Sequence, residues 1–195
     1  MLLAREFVAY LSRQLAAKLG ANTIEIINPV SIADLIHNLI NDELSLEDKL
    51  NDEVRDLLDQ YSVYMSNNAI SYSEMFRKIK NQMVAQRKIV RASGRETGDQ
   101  MKLSRDKINE ISHKLVQGLK KSRDCRFRKD ANDVRLEVVR LFADILMQED
   151  KADKTARTKI RSMKKEIAEG TEEWSIEHRK LYANELKSLG IDLGS

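Results

Sequence analysis

The chain has 195 residues, 33% of them charged, and a formal net charge of +3. Seven glycines, one proline and 5% aromatics predict helices and exclude sandwiches, barrels, and collagen-like or low-complexity chains. A single cysteine excludes an internal disulfide framework, and no apolar run reaches the roughly 18 residues of a spanning helix. Arg5 and Glu6 interrupt the opening MLLAREF before a signal-peptide core can form. The expectation is a soluble, cytoplasmic, all-α protein with no membrane partner.

Helix A spans 4–19, with Val8, Leu11, Leu15 and Leu19 at helical spacing and Gly20 closing it. The β-branched stretch TIEIINP, 23–29, predicts a short extended piece, and Pro29 disfavours helix at Asn28. Helix B starts at Ser31 as N-cap and carries Ile32, Leu35, Ile36, Leu39 and Ile40. Helix C starts at Ser45 or Asn51 and places Val54, Leu57, Leu58, Tyr61 and Met65 inward. Asn67-Asn68 breaks the chain. Ser71 and Glu74 then form a capping box for helix D, with Met75, Phe76, Ile79 and Met83. The second half repeats the plan, with helix A at 104–121, B at 132–147, C at 153–168 and D at 172–189. Gly170 is its breaker and Thr171 its cap.

The repetition extends to residue identity. Met1, Leu3, Arg5, Ser12, Leu15 and Leu19 recur 100 positions later as Met101, Leu103, Arg105, Ser112, Leu115 and Leu119. From Leu39 the offset becomes 102. Asp42, Leu44, Glu47, Asp48, Lys49, Arg55, Ser73, Arg77 and Lys78 then all meet identical residues. The predicted fold is therefore two tandem, similar four-helix units arising from internal duplication. Repeat one is 1–90, a linker 91–100, repeat two 101–190 and a flexible tail 191–195. Each unit has a thin core for its length, which predicts packing of the copies on each other or on a partner.

With the strings EMFRKIK, NDVRLEVVR and EEW…HRKLYANEL, and an MxLxRE-type opening, the chain resembles domain of unknown function 507 along nearly its whole length. The resemblance implies a bacterial helical protein, often with two copies. It carries over no activity, cofactor or catalytic residue.

Residues 1–100 hold 12 Lys/Arg against 14 Asp/Glu, and residues 101–195 hold 22 against 17, so the second half is basic. Lys120, Lys121, Arg123, Arg126, Arg128 and Lys129 surround Phe127, a composition suited to phosphate contact and base stacking. The plainer reading is a solvated helix end whose cations offset the helix dipole. Asp52 and Asp59 match Lys154 and Arg161, so an acidic face in one copy becomes a basic face in the other. Such faces can pair, within one chain or between chains, or stay solvated. Tyr72 and Trp174 occupy matched positions, followed by Arg77-Lys78 and Arg179-Lys180. They read as core anchors, or as a duplicated partner surface with an aromatic hot spot.

Catalytic patterns are sparse. The Glu-Asp-Lys triplet at 47–49 recurs at 149–151 and suits a helix N-terminus better than acid/base work. His37 reads as a half-buried surface residue, and His113 and His178 fall on predicted solvent faces. None has metal-site spacing. Cys125 lies among cations that can lower a thiol pKa, but it has no nearby histidine or second cysteine, and an inert thiol is the plainer reading. No phosphate loop or nucleophile elbow is present. No cofactor, metal ligand or catalytic residue is therefore expected. The functional expectation is a non-enzymatic interaction or scaffold protein with a protein partner, homo-oligomerisation included. The alternative is an RNA-binding protein using the basic second half.

Overall fold

The computed structural model describes residues 3–94, 101–163 and 167–191. Among them run α1 (Arg5–Asn22), β1 (Ile24–Ile26), α2 (Pro29–Gln60), α3 (Ser62–Asn67) and α4 (Tyr72–Gln86), followed by α5 (Arg105–Lys121), β2 (Cys125–Phe127), α6 (Ala131–Arg161) and α7 (Glu172–Ser188). The protein is predominantly helical, with one small two-stranded ladder. The predicted linker falls partly, and the predicted tail almost wholly, outside the described residues. No helix among the described residues is long and apolar enough to cross a membrane.

Local chemistry sets most helix starts. Ser71, Ser104 and Thr171 accept the N–H groups of Glu74, Lys107 and Trp174 at 3.4, 3.1 and 3.2 Å. Two predicted boundaries move. Asn28, not Ser31, caps α2, accepting the Ser31 N–H at 3.2 Å, with Pro29 at the first helical position. Helix α1 runs through Gly20 to Asn22 and is capped by Thr23, whose hydroxyl donates to the Leu19 carbonyl at 3.2 Å.

A larger correction concerns helices B and C. Each half fuses them into one continuous helix, α2 of 32 residues and α6 of 31. The expected separation of helix B from helix C is therefore absent in both halves, and the short α3 is an additional helix of the first half. The sequence between B and C holds no glycine or proline. Ser45, an expected cap, instead donates back to the Asp42 carbonyl at 2.9 Å inside the helix. Buried Leu44 and Leu50 continue the apolar stripe through the expected break.

The two halves share one core. Helix α1 packs on α2 and α6, and α5 packs on α6 and α2. Strands β1 and β2 pair antiparallel, with Ile24 opposite Phe127 and Ile26 opposite Cys125. Val8, Leu11, Leu15 and Leu19 meet Ile36, Ile111, Leu115, Val138 and Phe142 in a single buried cluster. Each such side chain contributes about 1.5–3 kcal/mol of burial. Gly118 lets α5 approach α2, since a Cβ there would lie 2.8 Å from Leu39 Cδ1. A smaller satellite core holds Val54, Leu58 and Met65 between α2, α3 and α4, flanked by Met75, Phe76, Ile79 and Met83. Leu57 and Tyr61, predicted inward, are exposed instead.

The seam between the halves closes on itself. The Gly94 N–H donates to the Lys102 carbonyl at 2.9 Å, and the Ser104 N–H to the Ala92 carbonyl at 2.8 Å. A Cβ at Gly94 would meet the Met101 carbonyl oxygen at 2.0 Å, so only glycine fits.

Candidate functional site: polar ladders on the two long helices

Residues four apart on a helix share a face. Helix α6 offers Glu149, Asp153 and Arg157 in this way, and α7 offers Trp174, His178 and Tyr182. The two ladders face each other across the α6–α7 packing. The α7 rings stack in sequence, Trp174 on His178 at 4.7 Å and His178 on Tyr182 at 5.8 Å, with their planes nearly parallel. His178 Nε2 meets Asp153 Oδ1 at 2.9 Å, and the Tyr182 hydroxyl donates to Glu149. Lys102, arriving from the seam, donates to Glu149, lies 3.9 Å from Asp153 and sits 5.4 Å from the Tyr182 ring centre. Arg157 donates to Asp153 at 2.8 Å, pairs with Glu169 and covers Trp174 at 5.1 Å.

Glu149 and Asp153 are 2% and 4% exposed, so their charges need these partners. Burial alone would raise the Asp153 carboxyl. The Arg157 hydrogen bond and the charges of Lys102, Arg157 and His178 outweigh it and hold that carboxyl below the ordinary aspartate value. Burial, then the charge and hydrogen bond of Glu149, pushes the Tyr182 hydroxyl far above the ordinary tyrosine value. The Oε2 of Glu149 is buried without a hydrogen-bond partner.

The residues 102 positions earlier bring a second set of side chains to the packing of α2 on α4. Glu47, Asn51 and Arg55 on α2 stand opposite Tyr72, Phe76 and Lys80 on α4. Tyr72 stacks on Phe76 at 6.4 Å, Arg55 lies 5.8 Å from the Phe76 ring centre, and Lys80 stands 4.0 Å from Glu47. Asn51 and Phe76 replace Asp153 and His178 together, so both members of the ionisable pair are missing from the first half. Glu47 accepts the Ala92 N–H. The glutamates of the recurring triplets therefore hold the two sides of the seam, one through Ala92 and one through Lys102. Both triplets lie within long helices, not at helix N-termini.

A second ionic cluster joins α2 to α5. Lys107, fully buried, donates to Glu43 at 3.0 Å and to Glu110 at 2.8 Å, and Lys114 also donates to Glu43. Burial raises the Glu43 carboxyl, but hydrogen bonds from Lys114 and Lys107 bring it below the ordinary value. Burial lowers the Lys114 ammonium, and Glu43 with Glu110 more than restores it.

The sequence-predicted residues fall in varied places. His178, expected on a solvent face, lies within the α6–α7 ladder with its side chain 17% exposed. His37 is half-buried beside Asn41, and His113 is exposed, as expected. Lys120, Lys121, Arg123, Arg126, Arg128 and Lys129 are all exposed and outside any ion pair among the described residues. Phe127 is not free to stack on a base. It occupies an inward position of β2 and packs on the core, since alternate strand residues face opposite sides. Arg126 faces outward opposite Glu25. Cys125 is buried and donates to the Leu119 carbonyl at 3.3 Å. Burial and then Asp124 raise its thiol above the ordinary value, the reverse of an activated cysteine.

No ion pair among the described residues joins Asp52 or Asp59 to Lys154 or Arg161. Asp52 pairs locally with Arg55 at 2.7 Å, Lys154 with Asp150 at 2.6 Å, and Arg161 lies 3.9 Å from Glu169. Tyr72 is exposed and Trp174 half-buried, so neither is a core anchor. Arg77, Lys78, Arg179 and Lys180 are exposed beside them.

Sequence reading missed Lys102, Asp153, Arg157 and Tyr182. The signal that could have found them is the pair of four-residue ladders, visible in the sequence once α6 and α7 are known to be neighbours. Among the described residues no three His, Cys, Asp or Glu side chains are grouped to hold a metal. The polar atoms of the ladder mostly bind one another, an arrangement that fastens α7 to α6 and the seam. No curated protein matches the chain. One family profile, described as "Protein of unknown function (DUF507)", matches residues 1–191, nearly the whole length, and the chain belongs to that family.

Proposed function

We propose that the chain is a tandem duplication acting as a non-enzymatic, cytoplasmic bacterial interaction protein. Its protein-docking surface is the outer end of the first half. One observation carries this reading. Of the twelve large apolar side chains exposed among the described residues, six fall within 57–72: Leu57, Tyr61, Val63, Tyr64, Ile70 and Tyr72. Val63 and Tyr64 are 73% and 62% exposed. An apolar patch of this kind, rich in tyrosine, is characteristic of protein interfaces. The positions 102 residues later carry Lys159, Met163, Lys165, Glu166, Glu172 and Trp174, a mostly charged set. The patch thus belongs to one half and is not a by-product of the shared architecture. The ladder supports the non-enzymatic reading, because its carboxylates are neutralised by fixed neighbours.

The test places a photo-crosslinking residue at Tyr64 of the full chain in its host, with Leu136 as an exposed control. One discrete adduct from position 64 and none from 136 is the expected result. No adduct at 64, or the same adducts at both, overturns the reading.

A second reading, RNA binding, is favoured by the six exposed cations of 120–129 that have no ion-pair partner among the described residues. It requires binding of single-stranded RNA that weakens steeply with salt. Arg126→Ala with Arg128→Ala should lower the salt slope by about one per phosphate contact removed. Absence of binding at low salt eliminates this reading.

A further inference from the structure

We propose that the partner of the apolar end is a second copy of this chain, and that the α2 end of each copy docks on the α6 end of the other. The proposal rests on the docking reading above and specifies its partner. Asp52, Asp56 and Asp59 lie at i, i+4 and i+7 of α2, so they form one stripe, and all three are exposed. Leu57 lies on the neighbouring stripe, and Tyr61, Val63 and Tyr64 follow at the turn into α3. This surface is acidic and aromatic. Its chemical complement is a basic helix, because carboxylates and tyrosine faces both attract cations.

The chain carries such a helix. Met147, Lys151, Lys154, Thr158 and Arg161 form one stripe on α6, spaced by four and three residues in turn. Met147 is 53% exposed, and the three cations are exposed as well. The outermost acids, Asp52 and Asp59, are seven residues apart. Lys154 and Arg161 are also seven apart, so each pair spans about 10 Å of helix and the charges can meet two by two. Within one chain they do not meet. Helix α2 packs on α1, α3, α4 and α5, while α6 packs on α1, α5 and α7, and the charged stripes are left facing solvent. The Asp52 and Lys154 side chains are each 69% exposed, so their local pairs with Arg55 and the less exposed Asp150 contribute little that docking would forfeit. Because each copy has one acidic and one basic end, a two-fold pairing uses both ends of both copies and closes as a dimer.

The experiment is sedimentation equilibrium on full-length chains, with circular dichroism melting to establish folding. The wild-type chain is expected to be a dimer that weakens as salt rises. The variant Asp52→Lys with Asp59→Arg has two basic ends, and Lys154→Asp with Arg161→Asp has two acidic ends. Each alone should self-associate at least about tenfold more weakly. An equimolar mixture should restore a dimer, because every contact again joins opposite charges. A monomeric wild type at low salt, unchanged association of either variant, or a mixture that stays monomeric overturns the proposal. If the chain is monomeric while crosslinking at Tyr64 still gives a discrete adduct of another mass, the docking reading survives and self-pairing fails. If there is no adduct either, both fail.

Discussion

Lys107 and Glu43 meet at 3.0 Å in the interior, where α5 crosses α2, although 64 residues separate them in sequence. The matched positions in the other crossing, of α1 with α6, are Phe7 and Ile145, both buried and apolar. The α5–α2 crossing is thus ionic at these positions and the α1–α6 crossing apolar.

That comparison sets the first prediction. Lys107→Met leaves Glu43 buried with Lys114 as its remaining cation, and should cost about 3 kcal/mol in urea unfolding. The double variant Lys107→Phe with Glu43→Ile copies the apolar crossing and should recover most of that loss. A double variant no more stable than the single one would show that the two crossings are not interchangeable.

The α6–α7 ladder allows a similar exchange. Asp153→Asn removes the charge and one of the two acceptor oxygens that Arg157 and His178 share between them, and should destabilise the protein by about 1–3 kcal/mol. Adding His178→Phe reproduces the pair found at Asn51 and Phe76, and should restore part of the stability. Thermal melting of the two variants provides the comparison.

Stability should fall at both pH extremes, for different reasons. The Glu43 and Asp153 carboxyls are held below their ordinary values, so their contribution is present above the unfolded-state pKa and lost as pH falls through the folded values. Tyr182 is displaced upward, so its contribution is present below the ordinary tyrosine pKa of 10.0 and is lost as pH rises beyond it. In urea unfolding across pH, Asp153→Asn should flatten the acid limb and Tyr182→Phe the alkaline limb.

Cys125 should resist thiol reagents in the folded protein. Its thiol is buried and shifted away from the thiolate. Labelling with a chromogenic disulfide should proceed only as fast as the protein opens, and should accelerate by more than about a hundredfold in denaturant. Rapid labelling of the native chain would contradict the inward orientation of β2.

The parts of this structure that were readable in the sequence are those decided within a few residues. Ser71 and Thr171 cap helices because a side-chain oxygen reaches an N–H three residues ahead. Val8, Leu11, Leu15 and Leu19 mark a buried face by their spacing alone. The fusion of helices B and C was hidden because Ser45 and Asn51 resemble caps locally, while the buried stripe that runs past them is a tertiary property. The ladder was hidden for a related reason. Asp153 and His178 are 25 residues apart, and only the α6–α7 packing makes them partners. The inward turn of Phe127 depends on strand pairing with Ile24, about a hundred residues away.

The antiparallel register of β1 with β2, together with the crossings of α1 on α6 and α5 on α2, makes each half the lid of the other. A backbone cut between 94 and 101 would sever one covalent connection and none of these contacts. The gene could accordingly be divided at that point. Fragments 1–94 and 101–195, each insoluble or unfolded when made alone, would reassemble when made together. The protein would then serve as a split pair whose reunion reports the proximity of whatever is fused to its pieces.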